Sequence, residues 1–457
     1  MKTEGLRVHF MGVAGIGMSA IAELAASRGA IVSGCDLAAN ENSERLIAAG
    51  IPFLLGHSRS HLEGVPELLV YSSAVPADNP ELAAARRAGI PTISRSTMLA
   101  RLMEERRSIG VAGTHGKTTT SWLAAKLLLE AGLDPAVMVG GVVPELGSNY
   151  HAGDGEWFVT EVDESDGLLL EIRPEISLLL NVDRDHMEHY GSLEEIEKTF
   201  VQYVMNTRPK GCVIGCGDDE RARRVLEAAG SRFVTYGLGA GVAVRGFNVR
   251  LNAIGSTFDV FVGDREYRDL RVTLLGEHNV QNALAVVALA KELGISEDVL
   301  RRALEAAGGV RRRMQKRGEA GGVVVYDDYG HHPTELETTL RAAKLLVEGR
   351  GRLVAVFQPH RYSRTMHLLE EFGKCFAAAD HVVVTSIYSA NEAPIEGVSS
   401  ARIVELVSDS GHPSVQYVPS RKNIVPHLTS FLTPGDLVLL LGAGDVWELH
   451  DELLGRL

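Results

Sequence analysis

The chain predicts an α/β fold of three domains, each built on a mostly parallel sheet, and three observations carry that prediction. Its 457 residues exceed what one core serves, since domains run to about 150 residues. Short β-branched runs alternate with helical stretches along most of its length, the pattern of βαβ units with parallel strands. Two glycine-rich turns, 'GVAGIGMS' and 'GTHGKTTT', each sit between such a strand and such a helix. The expected boundaries are 1–106, 107–313 and 314–457.

In the first segment 'RVHFMGV', 'AIVSGCD' and 'LLVYSSA' read as strands, with 'MSAIAELAASRG' and 'NPELAAARRAG' as helices. Gly12, Gly15 and Gly17 follow the first strand, and Asp36 closes the second, where a dinucleotide fold keeps its ribose-binding acid. This Rossmann-like pattern expects a diphosphate at a helix N-terminus. It does not separate a nicotinamide cofactor from a UDP-linked substrate.

A new strand, 'RSIGVAG', starts at Arg107 and runs into a phosphate loop. Gly113 and Gly116 free backbone N–H groups to turn toward an anion, Lys117 supplies a cation, and Thr118 opens a helix with a hydroxyl suited to Mg²⁺. The spelling is irregular, because Val111 stands where the strict motif has its first glycine. Strands 'WFVTEVDE' and 'EISLLLNVD', a helix from Leu193 to Met205 and strand 'GCVIGC' follow. Between Val244 and Leu275, 'FNVRL' and 'STFDVFV' alternate apolar and polar residues without helices between them, which predicts a small antiparallel patch. Helices 'NVQNALAVVALAKELG' and 'SEDVLRRALEAAGG' close this P-loop ATPase-like domain.

The stretch 'VRRRMQKRGEAGG' reads as a flexible, basic boundary. Beyond it 'VVVYDDY', 'RLVAVFQP', 'HVVVTSI', 'SVQYV' and 'DLVLLLGAG' predict a second Rossmann-like sheet.

Composition narrows the function. Apolar residues make up 45% and charged residues 23%, an ordinary globular balance. A formal charge of −13 argues against a nucleic-acid partner. Cys35, Cys212, Cys216 and Cys375 are too scattered for a disulfide framework, so a reducing cytoplasm is expected. The apolar N-terminal run is interrupted by His9 and glycines, unlike a signal peptide, and no stretch reaches the roughly 20 apolar residues of a membrane span.

Several polar clusters fall at strand ends, where α/β sheets keep their ligands. Glu161, Asp163, Glu164 and Asp166 follow one strand, and a single Mg²⁺ ligand is expected among them. Asp183, Asp185, His186 and His189 follow another; one histidine near the nucleotide's metal is the expectation, since ligand spacing for zinc is missing. Arg311, Arg312, Arg313, Lys316 and Arg317 suit either a solvated boundary or an interdomain arginine on ATP phosphates. Asp327, Asp328, His331, His332, His360, Arg361 and Arg364 point to one crevice in the last domain, with arginines fit for a carboxylate.

Together 'GVAGIGMS', 'GTHGKTTT', 'TEVDESD', 'DHMEHYG', 'GEHNVQNALA', 'RRRMQ', 'DDYGHHPTE', 'FQPHRYSRT', 'YSANEAPIEGVSS' and 'GAGD', in that order, resemble the Mur ligases, ATP-dependent amide-forming enzymes of peptidoglycan precursor synthesis. That family spells its ATP loop G-T-x-G-K-T, as Gly113–Thr118 do. The resemblance implies a cytoplasmic ligase joining L-alanine to the lactyl carboxylate of UDP-N-acetylmuramate through an acyl phosphate, with ATP as co-substrate and Mg²⁺ at two sites. ATP would meet Gly113, Thr114, His115, Gly116, Lys117, Thr118, Thr119, Asn279, Asn282 and Asp328, with Arg313 facing its phosphates. Metal would be held by Thr118, Glu161 and His186. The UDP-sugar would lie on Gly15, Gly17, Met18, Ser19, Asp36, Ser72 and Ser73 in the first domain, and the amino acid on His360, Arg361 and Arg364, with His332, in the third. Lys117, His186, Arg313 and His332 form the implied catalytic set.

Two departures accompany the resemblance: Phe200 stands where sister enzymes carry a carbamoylated lysine, and Met314 where an aromatic is usual. No nucleic acid, no membrane insertion, and a monomer or homodimer are expected. The alternatives are a muropeptide-recycling ligase, a nicotinamide oxidoreductase and a nucleotide-switched binding protein.

Overall fold

The computed structural model describes residues 3–164 and 167–457, and its strands form three sheets. The first holds β1 (Arg7–Met11), β2 (Ile31–Asp36), β3 (Phe53–Leu55), β4 (Leu68–Tyr71) and β5 (Thr92–Ser94), all parallel, in the order β3-β2-β1-β4-β5. Chain direction around the sheet reverses between β1 and β4. The loops leaving these two strands therefore diverge and open a crevice at their carboxyl ends.

The second sheet has ten strands: β6 (Arg107–Ala112), β7 (Ala136–Val143), β8 (Ser148–His151), β9 (Trp157–Glu161), β10 (Ile176–Leu179), β11 (Cys212–Cys216), β12 (Phe233–Gly237), β13 (Val244–Asn252), β14 (Gly255–Val262) and β15 (Arg265–Val272). Strand β6 lies between β9 and β10, parallel to both, so its phosphate loop is flanked by the acidic segments that follow its neighbours. The antiparallel patch is present as β13–β15 and includes a third, charge-rich strand, 'REYRDLRV'. The helix Leu193–Met205 forms as predicted, and Ser192 accepts the Glu195 N–H at its start at 3.3 Å. Phe200 is fully buried, in an apolar cluster that runs without a break from Phe10 and Met103 of the first sheet's layer to Phe158 and Tyr203 of the second.

The third sheet holds β16 (Gln315–Ala320), β17 (Val323–Asp328), β18 (Leu353–Phe357), β19 (His381–Val384), β20 (Val415–Tyr417) and β21 (Leu437–Leu441), in the order β16-β17-β21-β18-β19-β20. Here the sequence reading needs correction: 'QKRGEA' is the edge strand β16, antiparallel to β17, and not a flexible boundary. An edge strand is specified by backbone pairing on one side and tolerates charged residues, so it lacks an apolar signature. Neighbouring basic residues are also tied down. Arg312 donates to the Gly442 carbonyl at 2.6 Å and lies over the Tyr329 and Trp447 rings, at 4.8 and 5.6 Å from their centroids.

Close packing beneath the phosphate loop rests on Gly110. A Cβ there would meet the Tyr203 hydroxyl at 2.9 Å and Pro174 at 3.0 Å, and that hydroxyl donates to the Gly110 carbonyl at 2.7 Å. Replacing Tyr203 with Phe should lower stability by about 1 kcal/mol by removing a buried hydrogen bond while keeping the ring. Urea unfolding checks this: the midpoint should fall with the slope unchanged.

Candidate active site

The helix Lys117–Glu130 starts from Gly116, which has φ +83°. A Cβ on Gly116 would sit 2.8 Å from Asn282 Oδ1, so the loop passes under the helix Glu277–Leu293 only because the residue is glycine. Lys117 Nζ curls back into its own loop, donating to the carbonyls of Gly113 at 2.7 Å and Thr114 at 3.0 Å and pairing with Glu164 at 2.7 Å. Burial alone would lower its pKa, but Glu164, Asp163 and Glu161 outweigh burial and hold it above the ordinary lysine value. Thr118 Oγ1 donates to Glu161 Oε2 at 2.7 Å. The Glu161 carboxylate has room only because Gly140 lacks a side chain: a Cβ there would be 2.1 Å from Glu161 Oε1. A hydroxyl and a carboxylate beside a phosphate loop are the hard oxygen donors Mg²⁺ takes, so these residues fit that ion. Nearby, Asp163, Glu164 and His186 bring one ligand atom each within 4.8 Å of one another. Asp166 lies outside the described residues.

A cavity of about 620 Å³ opens on one side of the loop. His115, Gly116, Thr118 and Thr119 line it from the loop, Asn279 and Asn282 from the overlying helix, Arg313 from the junction with the third domain, and Asp328 from the third domain itself. Asp328, at the end of β17, accepts the Met314 and Gly330 N–H groups at 2.7 Å each. Burial still pushes its pKa up to about 6, against Arg313 and those N–H groups. Arg313 faces Glu335 at 3.8 Å and sits 5.6 Å from the Tyr329 ring centroid.

The segment after β10 joins the second and third domains. Asp183 meets His115 Nε2 at 3.2 Å and accepts from Thr334 Oγ1 at 2.8 Å. His332 Nε2 reaches the Arg184 carbonyl at 3.0 Å. Arg364, expected on the amino acid, donates to Asp185 at 3.0 Å, with both side chains nearly buried. Burial opposes ionisation of Asp185, but Arg364 and the neighbouring histidines hold its carboxyl well below the usual range. The same burial, with Arg364 and Arg361, lowers His360 to about 4; burial likewise depresses His332. Glu335 completes the set, 3.5 Å from His115 Nδ1.

A second cavity, about 460 Å³, occupies the β1/β4 crevice. The first domain contributes Gly15, Gly17, Met18, Ser72 and Ser73, the second Asp163, His186 and His189, and the third Arg361. His186 and Arg361 both hold left-handed backbone, at φ +53° and +69°, which non-glycine residues adopt at a cost. Ser19 and Asp36 line neither cavity. Ser19 is fully buried and bonds Ile16 O and Arg45, and Asp36 accepts the Ala14 N–H at 2.9 Å, shaping the glycine loop from behind.

Three profiles of one family cover the chain: Mur ligase family, catalytic domain, at residues 7–107; Mur ligase middle domain at 111–290; and Mur ligase, glutamate ligase domain, at 312–444. A UDP-N-acetylmuramate–L-alanine ligase of Anaeromyxobacter sp. (strain Fw109-5) is 45% identical over 456 residues, covering 100% of this chain and 99% of that one. The chain belongs to the Mur ligase family. Another relative of the same name, from Phenylobacterium zucineum (strain HLK1), is 42% identical over 98% of this chain and 95% of its own length. Among solved structures, the UDP-N-acetylmuramate-alanine ligase of Thermotoga maritima superposes with a TM-score of 0.82 at 29% identity, covering 99% of each chain. A murein peptide ligase from Psychrobacter arcticus 273-4 gives 0.73 at 25%, covering 99% of this chain and 98% of that one.

In this Mur ligase the residues that sequence reasoning passed over are Arg95 and Glu335. Arg95 lines the second cavity and follows β5, so its strand-end position was the available signal. Glu335 is the N3 residue of a capping box on the helix Pro333–Val347, which reads locally as a cap. Its role at the site comes from the fold, which carries that cap to His115.

His115 yields a pH prediction. Burial would lower its pKa, but bonds and charge from Asp183 and Glu335 overcome this and raise it to about 9. A raised value means that the stabilisation is fully present below the unfolded value near 6.5 and is lost as pH climbs through about 9. Thermal or denaturant unfolding of wild type against His115→Asn should show an advantage of about 2–3 kcal/mol at pH 6 that shrinks away by pH 10.

Proposed function

We propose that this Mur ligase joins L-alanine to the lactyl carboxylate of UDP-N-acetylmuramate in cytoplasmic peptidoglycan precursor synthesis, cleaving ATP to ADP and phosphate. The observation that carries the reading is the second cavity: all three domains line it, and it takes in Asp163 and His186 from the segments that follow the two strands flanking the phosphate loop's own strand. The curated relatives' shared name supports the choice of acid and amine.

In this reading residues 1–106 hold the sugar nucleotide, 107–313 the ATP and 314–457 the amino acid. The pyrophosphate lies against the N-terminus of the helix Ile16–Ser27, near Gly15, Gly17 and Arg95, where unpaired N–H groups and a guanidinium favour an anion. Adenine lies by Asn279 and Asn282, its ribose by Asp328, and the triphosphate runs toward Lys117 and Arg313.

The reaction has to bring two anions together. The lactyl carboxylate oxygen attacks the γ-phosphorus, ADP departs, and an acyl phosphate remains. Lys117 and Arg313 offset the charge on the phosphate oxygens during that transfer. Mg²⁺ bound by Thr118 and Glu161, with a second ion at His186, would supply further positive charge to the same oxygens. The neutral amine of alanine then attacks the acyl carbon, phosphate leaves, and the nitrogen sheds one proton as the amide forms. Arg361 is the third-domain cation placed for the alanine carboxylate. His332 and the Arg364–Asp185 pair hold the third domain against the second, which shields an acyl phosphate from water.

Phosphate release with ATP, Mg²⁺ and UDP-N-acetylmuramate across a panel of amines tests the assignment. L-Alanine should drive turnover; turnover with a tripeptide and none with alanine would overturn it. Lys117→Ala should cut kcat by about 10²–10³-fold or more while the thermal transition persists, because it removes a cation aimed at developing charge.

A further inference from the structure

The first domain holds a second convergence of metal-ligating side chains, apart from the ligase site. His9 on β1, Cys35 on the adjacent β2, His61 on the short turn Arg59–Leu62 and Glu81 in the first turn of the helix Pro80–Arg87 bring one ligand atom each within 4.8 Å of one another. His9, Cys35 and Glu81 are completely buried. Glu81 lies 2.9 Å from His9 Nε2, 3.2 Å from His61 Nδ1 and 3.5 Å from Cys35 Sγ. His57 Nδ1 stands 3.4 Å from the same sulfur.

We infer that His9, Cys35, His61 and Glu81 form a tetrahedral zinc site. Zinc bonds of about 2.0–2.3 Å in a tetrahedron place ligand atoms about 3.3–3.8 Å apart; Glu81 stands 2.9–3.5 Å from the other three, and all four ligand atoms lie within 4.8 Å, so small side-chain shifts would seat the ion. Thiolate, imidazole and carboxylate together suit zinc better than Mg²⁺ or Ca²⁺, which take oxygen. A purely hydrogen-bonded cluster accounts for these atoms less well. His9 Nε2 stands 2.9 Å from Glu81 Oε1, but poorly aligned for a hydrogen bond, and it has no other partner. The other ring nitrogen is already supported: His9 Nδ1 meets Ser33 Oγ at 2.8 Å, which leaves Nε2 as the lone-pair atom aimed into the cluster. Glu81 Oε2 is similarly oriented by the Ser58 N–H at 2.8 Å.

The site is closed, with four protein ligands, so its role is to brace the fold rather than to activate water. It would tie β1, β2 and two surface elements together directly behind the glycine loop, whose Gly12 and Val13 N–H groups both bond the Cys35 carbonyl, at 2.8 and 3.1 Å. It is independent of the ligase assignment.

The test uses full-length protein stripped with a chelator and titrated with Co²⁺, then with Zn²⁺. Expected are intense d–d bands of tetrahedral cobalt with a sulfur-to-cobalt charge-transfer band, displaced by one equivalent of zinc, and a higher thermal transition in the zinc form. Cys35→Ser should lose the charge-transfer band, which separates this site from any cobalt near Cys216 in the ATP cavity. Ser33→Ala should weaken zinc by about 10–100-fold through the lost support of His9. Should Cys35→Ser not fold, the milder His61→Ala and the wild-type spectrum still decide. A wild-type spectrum without sulfur charge transfer, or equal zinc binding by wild type and Cys35→Ser, overturns the inference.

Discussion

The arrangement of this ligase depends on a buried ion pair between Asp185 and Arg364. Neither side chain is more than 10% exposed, so each charge has given up most of its water and is tolerable only while the other is opposite it. Such a pair adds little net stability but strongly disfavours separation. One partner belongs to the segment after β10 and the other to the third domain, so the pair fixes where that domain sits. With it in place, Thr334 and His332 reach the same segment, and His115 is caught between Asp183 and Glu335. Both cavities take their third-domain walls from this juncture.

Electrostatics around the phosphate loop follow from the same crowding. Lys117 is surrounded by carboxylates and by its own loop's carbonyls, and Glu164 is its ion-pair partner. On the proposed reading, an arriving triphosphate would compete with Glu164 for that ammonium. The exchange would be favourable in charge, because Lys117 would trade one carboxylate for a more highly charged group and leave Glu164 beside Asp163 and His186. The acidic residues that look repulsive toward ATP are thus the groups a divalent cation would bridge.

Much of this was legible locally. A strand, two glycines, a lysine and a threonine in the right order specify a phosphate loop, since backbone freedom, cation and hydroxyl are needed within a few residues of one another. The helix Leu193–Met205 carries its own start signal at Ser192 and its own apolar stripe. Strand β16 was misread because an edge strand gains its order from a neighbour. Strand β7, 'AVMVGGVV', was passed over, and its paired glycines make room for residues distant in sequence: Glu161 from β9 needs the space at Gly140, and Val310 the space at Gly141.

By itself the sequence determined the chemistry on offer: an anion-binding loop, strand-end carboxylates, and histidines and arginines placed after apolar strands. Each is a short-range pattern whose parts lie within one turn or one strand end. Only the tertiary structure decided the partners. It set Arg364 on Asp185 rather than in a cavity, put Arg361 in the crevice shared by three domains, and turned the capping residue Glu335 toward His115. Those pairings span from dozens to hundreds of residues of chain, and they follow from how three sheets pack, which no local run of residues encodes.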